Sequence, residues 1–77
     1  MTILLDDKGH LASTDGLEEL HQFARSIGLK KEWFQNKVIP HYDLKGNKPK
    51  DAINKGAVRV TSRELIRRYW EMRRRNA

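Results

Sequence analysis

Apolar positions in this chain fall into short runs bounded by turn chemistry and into two longer stretches with helical spacing, a pattern that predicts a small α/β (or α+β) domain. Thr2-Ile3-Leu4-Leu5, stopped by Asp6-Asp7-Lys8-Gly9, reads as a buried strand over residues 2 to 5. His10-Leu11-Ala12-Ser13 reads as a second extended piece. Leu17, Leu20, Phe23, Ala24 and Ile27 recur at three- and four-residue spacing, with Asp15 as N-cap, Glu18 completing a capping box and Gly28 with Leu29 closing the C-terminus. Lys31 to Asn36 predicts a short helical turn whose aromatics, Trp33 and Phe34, fill a small core.

Residues 38 to 44 read as extended chain, with Pro40 delaying the regular strand until His41. Asn47 caps the next helix, Pro49 sits in its first turn, and Gly56 ends it before the strand Ala57-Val58-Arg59-Val60. Twelve residues separate Leu44 from Ala57, about what a helical crossover between parallel strands requires. The last helix opens with Thr61, Glu64 completing a capping box and Val60 stapling to Leu65; Leu65, Ile66, Tyr69 and Met72 form its buried stripe. The expected architecture is a single-layer sheet of three to four short, partly parallel strands packed with three helices, fraying beyond about Arg74.

Seventy-seven residues make one domain, 1 to 77, which buries only about 60 to 65% of its unfolded surface. The absence of cysteine excludes disulfides, thiolate zinc sites and a cysteine nucleophile. No apolar run approaches the roughly 18 residues of a membrane span, so a soluble, cytoplasmic chain without membrane contact is expected. The net charge of +6 is uneven: residues 1–36 carry four Lys/Arg against six Asp/Glu, and residues 37–77 carry twelve against four. Any phosphate contact therefore belongs to the second half.

Candidate chemistry centres on His41-Tyr42-Asp43-Leu44 and the lysine-rich turn after it. In an extended chain His41 and Asp43 share one face. If strands 2 to 5, 41 to 44 and 57 to 60 are parallel neighbours, one rim gathers Asp6, Asp7, Asp43, Lys45, Asn47, Ser62 and Arg63 beside two helix N-termini. That rim suits a phosphate-bearing ligand, most naturally a nucleotide or a nucleotide-derived signal, held by His41, Asp43, Lys45, Asn47, Ser62 and Arg63 with His10 and His21 as neighbours. His21 also reads as a hydrogen-bonded boundary residue, and Asp6-Asp7 as a solvated turn.

Three alternatives stand beside it. Arg63, Arg67, Trp70 and Arg74 recur on one helix face and suit sequence-independent nucleic-acid binding. Asp6, Asp7 and Asp43 could hold a divalent metal with His41 as general acid or base, giving a phosphoester hydrolase. A protein-interaction role leaves no mark on the sequence. With no recognised metal, phosphate-loop or nucleophile motif, binding is favoured over catalysis; no organic cofactor is expected, and a divalent metal is the one inorganic partner the acids would suit.

Leu17-Glu18-Glu19-Leu20-His21, Phe23-Ala24, Gly28-Leu29, Trp33-Phe34-Gln35, His41-Tyr42-Asp43-Leu44, Ala52 and Gly56-Ala57 together resemble the small bacterial and phage proteins of domain-of-unknown-function family 4031. The resemblance extends to a first strand ending in Asp6-Asp7 and the pair His10-Leu11. It brings no activity with it. It implies that the polar positions of the family pattern are His10, Asp15, Glu18, Glu19, His21, Gln35, His41 and Asp43, and it implies a bacterial or phage origin. Relatives carry a longer, aromatic-containing segment where this chain has only Lys8-Gly9, so a site wall built there would be missing.

Overall fold

The computed structural model describes residues 2–75, and in it the first two apolar runs form a hairpin. Strand β1 (Ile3–Leu5) pairs antiparallel with β2 (His10–Ser13), setting Leu4 opposite Ala12 and Leu5 opposite Leu11. The turn between them requires glycine: Gly9 has φ +86°, and a Cβ there would lie 2.6 Å from the Leu44 carbonyl oxygen. That close approach lets the Leu44 N–H donate to the Gly9 carbonyl at 2.8 Å, tying the turn to a later strand.

Helix α1 (Leu17–Ser26) begins at Gly16 rather than Asp15, because the Asp15 carboxylate accepts the Thr2 N–H at 2.7 Å. It ends as the sequence predicts. Gly28, at φ +78°, donates to the Arg25 carbonyl and Leu29 to the Ala24 carbonyl, the paired bonds that close a helix at a left-handed residue. Leu20, Phe23 and Ala24 are buried, whereas Leu17 is exposed.

The aromatic pair departs from expectation. Lys31–Trp33 is a single 3₁₀ turn, and Phe34 already belongs to strand β3 (Phe34–Gln35). Phe34 therefore packs against the core while Trp33 is exposed. Strand β4 (His41–Asp43) starts directly after Pro40. Helix α2 (Lys48–Asn54) has Asn47 at its N-cap position and proline in its first turn, although the Asn47 side chain makes no capping bond. Strand β5 (Val58–Arg59) and helix α3 (Ser62–Arg75) complete the order. The Thr61 hydroxyl accepts the Glu64 N–H at 3.1 Å, one half of the predicted capping box, while the Glu64 carboxylate goes to Arg67 and Arg68; Val60 packs against the cluster that holds Leu65, as the predicted staple requires. Arg75 is still helical, so the predicted fraying concerns only residues 76 and 77, which lie outside the described residues.

Among the described residues the fold is mixed α/β with five strands, not three to four, ordered β3-β4-β2-β1-β5. The assumed parallel neighbours are corrected: β5 pairs parallel with β1, but β2 lies antiparallel between β1 and β4. Strands β1, β4 and β5 still run in one direction, so their C-terminal ends share a rim. The inserted strand adds its first residue, His10, to that rim. Alternation along the strands then divides the core in two. Leu5, Leu11 and Tyr42 face Leu20, Phe23 and Ala52 of α1 and α2. On the other face Leu4 and Ala12 meet Leu65 of α3.

Candidate functional site

The rim on the α3 side assembles from strand register. His10 and Asp43 are cross-strand partners on β2 and β4, and His41, two residues before Asp43, shares its face. The His10 and His41 rings meet edge to face with centroids 4.8 Å apart. Each Nε2 lies 3.5 Å from the same Asp43 oxygen, Oδ1. Among the described residues these three are the metal-type donors that converge, one atom from each lying within 4.8 Å of the others. Their side chains are 37%, 17% and 41% exposed, in the order His10, His41, Asp43, so the cluster is reachable from solvent.

The outer nitrogens of both rings are already committed. His41 Nδ1 donates to the Ile39 carbonyl at 2.7 Å. His10 Nδ1 donates to Asp6 Oδ2 at 2.8 Å. Asp6 is only 3% exposed and is the anchor of this corner. Its Oδ1 accepts the backbone N–H groups of Lys8 and His10 at 2.9 and 2.8 Å, and its Oδ2 also accepts the Ser62 hydroxyl at 3.0 Å. Burial by itself would raise the Asp6 pKa. The hydrogen bonds from the His10 backbone, the His10 ring, the Lys8 backbone and Ser62 outweigh it and hold the carboxyl below its ordinary value. The reading of Asp6-Asp7 as a solvated turn is thus right only for Asp7, which is exposed and lies within 3.0 Å of the Ser62 hydroxyl.

Beside the cluster runs a groove of about 490 Å³. Asp6, Lys8, His10, Lys37, His41 and Ser62 are its polar lining residues. Ile39, Leu65, Ile66 and Trp70 form an apolar wall, of which Ile66 and Trp70 are substantially exposed. Ile66 was expected in the buried stripe; Leu65 and Tyr69 fill that role, and Ile66 turns instead toward the groove.

Other predicted site residues go elsewhere. His21 lies on the α1 side of the sheet, its Nδ1 2.7 Å from the Tyr42 hydroxyl and its ring edge-on to Phe34, so it does not neighbour His41 and Asp43 at the rim. Lys45 lines a separate depression of about 250 Å³ with Asp43, Gln35 and Trp33. Asn47 and Arg63 are exposed. Of the arginine face, Arg67 is held by Glu64 and Glu71 at 2.6 and 2.7 Å, Trp70 faces the groove with Arg73 5.9 Å from its ring centre, and Arg74 is exposed. Asp6 is taken up by its four hydrogen bonds, so the carboxylate trio Asp6, Asp7 and Asp43 gives way to His10, His41 and Asp43 as the converging set.

Lys8, Lys37 and Ile66 belong to the site without having been singled out for it. The signal for Lys8 was the four-residue segment between two short apolar runs, which marks a hairpin and places its turn at the rim. No sequence signal marks Lys37. Among the described residues no helix is long and apolar enough to cross a membrane. No curated protein and no solved structure matches the chain. A family model does match, over residues 7–72, a span that holds His10, His21, His41, Asp43 and Ser62 and begins just after Asp6. The chain belongs to the DUF4031 family, whose description is protein of unknown function.

Proposed function

We infer that this protein binds a small phosphate-bearing ligand, of the nucleotide class, in the groove between the rim and α3. The observation that carries this reading is the mixed lining of the groove, where an exposed tryptophan and other apolar side chains stand with Lys8, Lys37, His10, His41 and Ser62. A planar base suits the Trp70 and Ile66 side, where stacking on an aromatic contributes about 1 to 3 kcal/mol. A phosphate suits the lysines and the first turn of the fourteen-residue α3. A volume of about 490 Å³ falls in the range of small-ligand clefts.

The acids at the same rim set a condition. Asp6, which its hydrogen bonds keep ionised, and Asp43 beside the two imidazoles both place a carboxylate at the rim, so an anionic ligand needs Lys8 and Lys37 or a further cation to offset them. The nucleic-acid alternative has less support, since Glu64 and Glu71 hold Arg67, which lies at the middle of that face. Thermal-shift titration with mono- and dinucleotides, cyclic dinucleotides and inorganic phosphate tests the reading. Ligand at about a hundred times its Kd stabilises by about 2.7 kcal/mol, and so by about 10 °C or more in a domain this small. No shift with any nucleotide at millimolar concentration, with or without added divalent ions, would sink it.

A further inference from the structure

We propose that His10 Nε2, His41 Nε2 and Asp43 Oδ1 bind one zinc-class divalent ion at the mouth of the groove. The inference goes beyond ligand binding and stands on geometry of its own. A carbonyl oxygen cannot donate, so His41 Nδ1, 2.7 Å from Ile39 O, must carry hydrogen. His10 Nδ1 lies 2.8 Å from an oxygen of the buried Asp6 carboxylate, which is an acceptor, and so carries hydrogen too. In the neutral rings both lone pairs are therefore on Nε2, the atoms turned toward Asp43. With both rings neutral, the three atoms that face one another are all acceptors, an arrangement that a cation completes.

Spacing supports the same conclusion. At 3.5 Å the two Nε2···Oδ1 distances are long for hydrogen bonds, which centre near 2.9 Å. These two edges are close to the separation of about 3.4 Å between ligands of a tetrahedral ion bound at about 2.0 to 2.1 Å, and the remaining edge, within 4.8 Å, closes by a small movement of the rings about the ion. The outer contacts are those of metal-binding histidines, whose second nitrogen almost always donates to a carboxylate or a backbone carbonyl. Here one ring has each kind of partner. All three ligands stand on paired strands, which hold their relative positions better than a loop would.

The donor set fixes the class of ion. Two imidazoles with one carboxylate suit zinc and its first-row neighbours, whereas magnesium and calcium prefer an all-oxygen shell. Three protein ligands with a solvent-facing side leave a position for water or a ligand oxygen, the pattern of working rather than purely structural zinc sites. An ion here would offset Asp43 and supply the cation that an anionic occupant of the groove needs.

The test is titration of the full chain, stripped with a chelator, using Zn²⁺ by calorimetry and Co²⁺ by visible absorption. One ion per chain is expected, with a cobalt spectrum of four- or five-coordinate intensity. Asp43→Asn, His10→Gln and His41→Gln should each weaken binding at least about tenfold. Asp6→Asn should weaken it about 10- to 100-fold while the cobalt spectrum persists at saturation, the mark of a residue that positions His10. His21→Ala removes the one histidine outside the cluster and should leave affinity unchanged. Absence of saturable binding by the wild-type chain overturns the proposal, as does binding that survives the His10→Gln/His41→Gln pair in a chain still folded by circular dichroism. Because the readout is the metal alone, it succeeds or fails independently of any nucleotide.

Discussion

The two faces of the sheet use histidine in opposite ways. On the α1 and α2 side, His21 packs edge-on against Phe34 and Tyr42 and has its Nδ1 on the Tyr42 hydroxyl, which burial keeps protonated by raising its pKa. On the α3 side, His10 and His41 also have Nδ1 engaged, but their Nε2 atoms face a carboxylate and a groove. Exposure does not separate the two cases, since all three residues are partly buried. What separates them is the surroundings: aromatic rings about His21, a carboxylate and a groove beside His10 and His41. The first face is where the chain is held together, and the second is where it has chemistry to spare.

If that division is right, the largest stability losses belong to the first face. Leu11 is fully buried in the larger cluster, and Leu11→Ala should cost about 3 to 5 kcal/mol, enough to unfold much of a domain this small at 37 °C. Leu4 is equally buried but lies in the smaller cluster under α3, beside a groove into which neighbours can relax. Leu4→Ala should therefore cost less, about 2 to 3 kcal/mol. Urea denaturation of the two variants orders them; a larger loss for Leu4→Ala would move the structural centre of the molecule to the other face.

The sequence reveals the helices and half of the site. Periodicity located α1, the Gly28 cap and α3, and the spacing of His41 and Asp43 put them on one face, because those features depend on residues within a turn or two of each other. His10, expected as a neighbour of this pair, owes its place opposite Asp43 to strand order. Reading strands 2 to 5 and 41 to 44 as parallel neighbours left no place for β2 between them, and with β2 went the register that sets His10 opposite Asp43. Asp15 lost its capping role for a similar reason, its carboxylate being claimed by Thr2 across the chain. Trp33 was assigned to the core by size alone, but the start of β3 at Phe34 turns the tryptophan outward.

Adjacent residues on β4 give the comparison in its smallest form. Tyr42 points to the first face and Asp43 to the second. Tyr42→Phe removes one buried hydroxyl and its bond to His21, so it should cost about 0.5 to 1.5 kcal/mol and leave groove and metal titrations unchanged. Asp43→Asn keeps the shape of a part-exposed side chain, and stability should stay within about 0.5 kcal/mol of wild type while the titrations change. Thermal melts run alongside the titrations read both quantities. A Tyr42→Phe chain that melts normally but no longer titrates would erase the distinction between the faces.

The smallest effect is expected on the solvent side of α3, away from both faces. Glu64 bonds Arg67 and Arg68, and the Arg67 hydrogen bond foremost, joined by the Arg68 bond and the charges of both, holds its carboxyl below the ordinary 4.5 against the opposing effect of desolvation. A carboxyl depressed in the folded state stabilises above its unfolded pKa, and that contribution is lost as pH falls through the folded value. Because Glu64 is open to solvent, screening keeps the effect small. Glu64→Gln should lower Tm by no more than about 2 °C at neutral pH. The difference should shrink in 1 M salt, where charges are screened within about 3 Å, and vanish once pH has fallen below the depressed folded-state value. Metal and nucleotide titrations should be untouched, since α3 meets the groove through Ser62, Leu65, Ile66 and Trp70 and presents Glu64 elsewhere. Loss of binding in Glu64→Gln would mean that the charge network on the outside of α3 sets the position of its inner face, and the groove would then have to be treated as one unit with the whole helix.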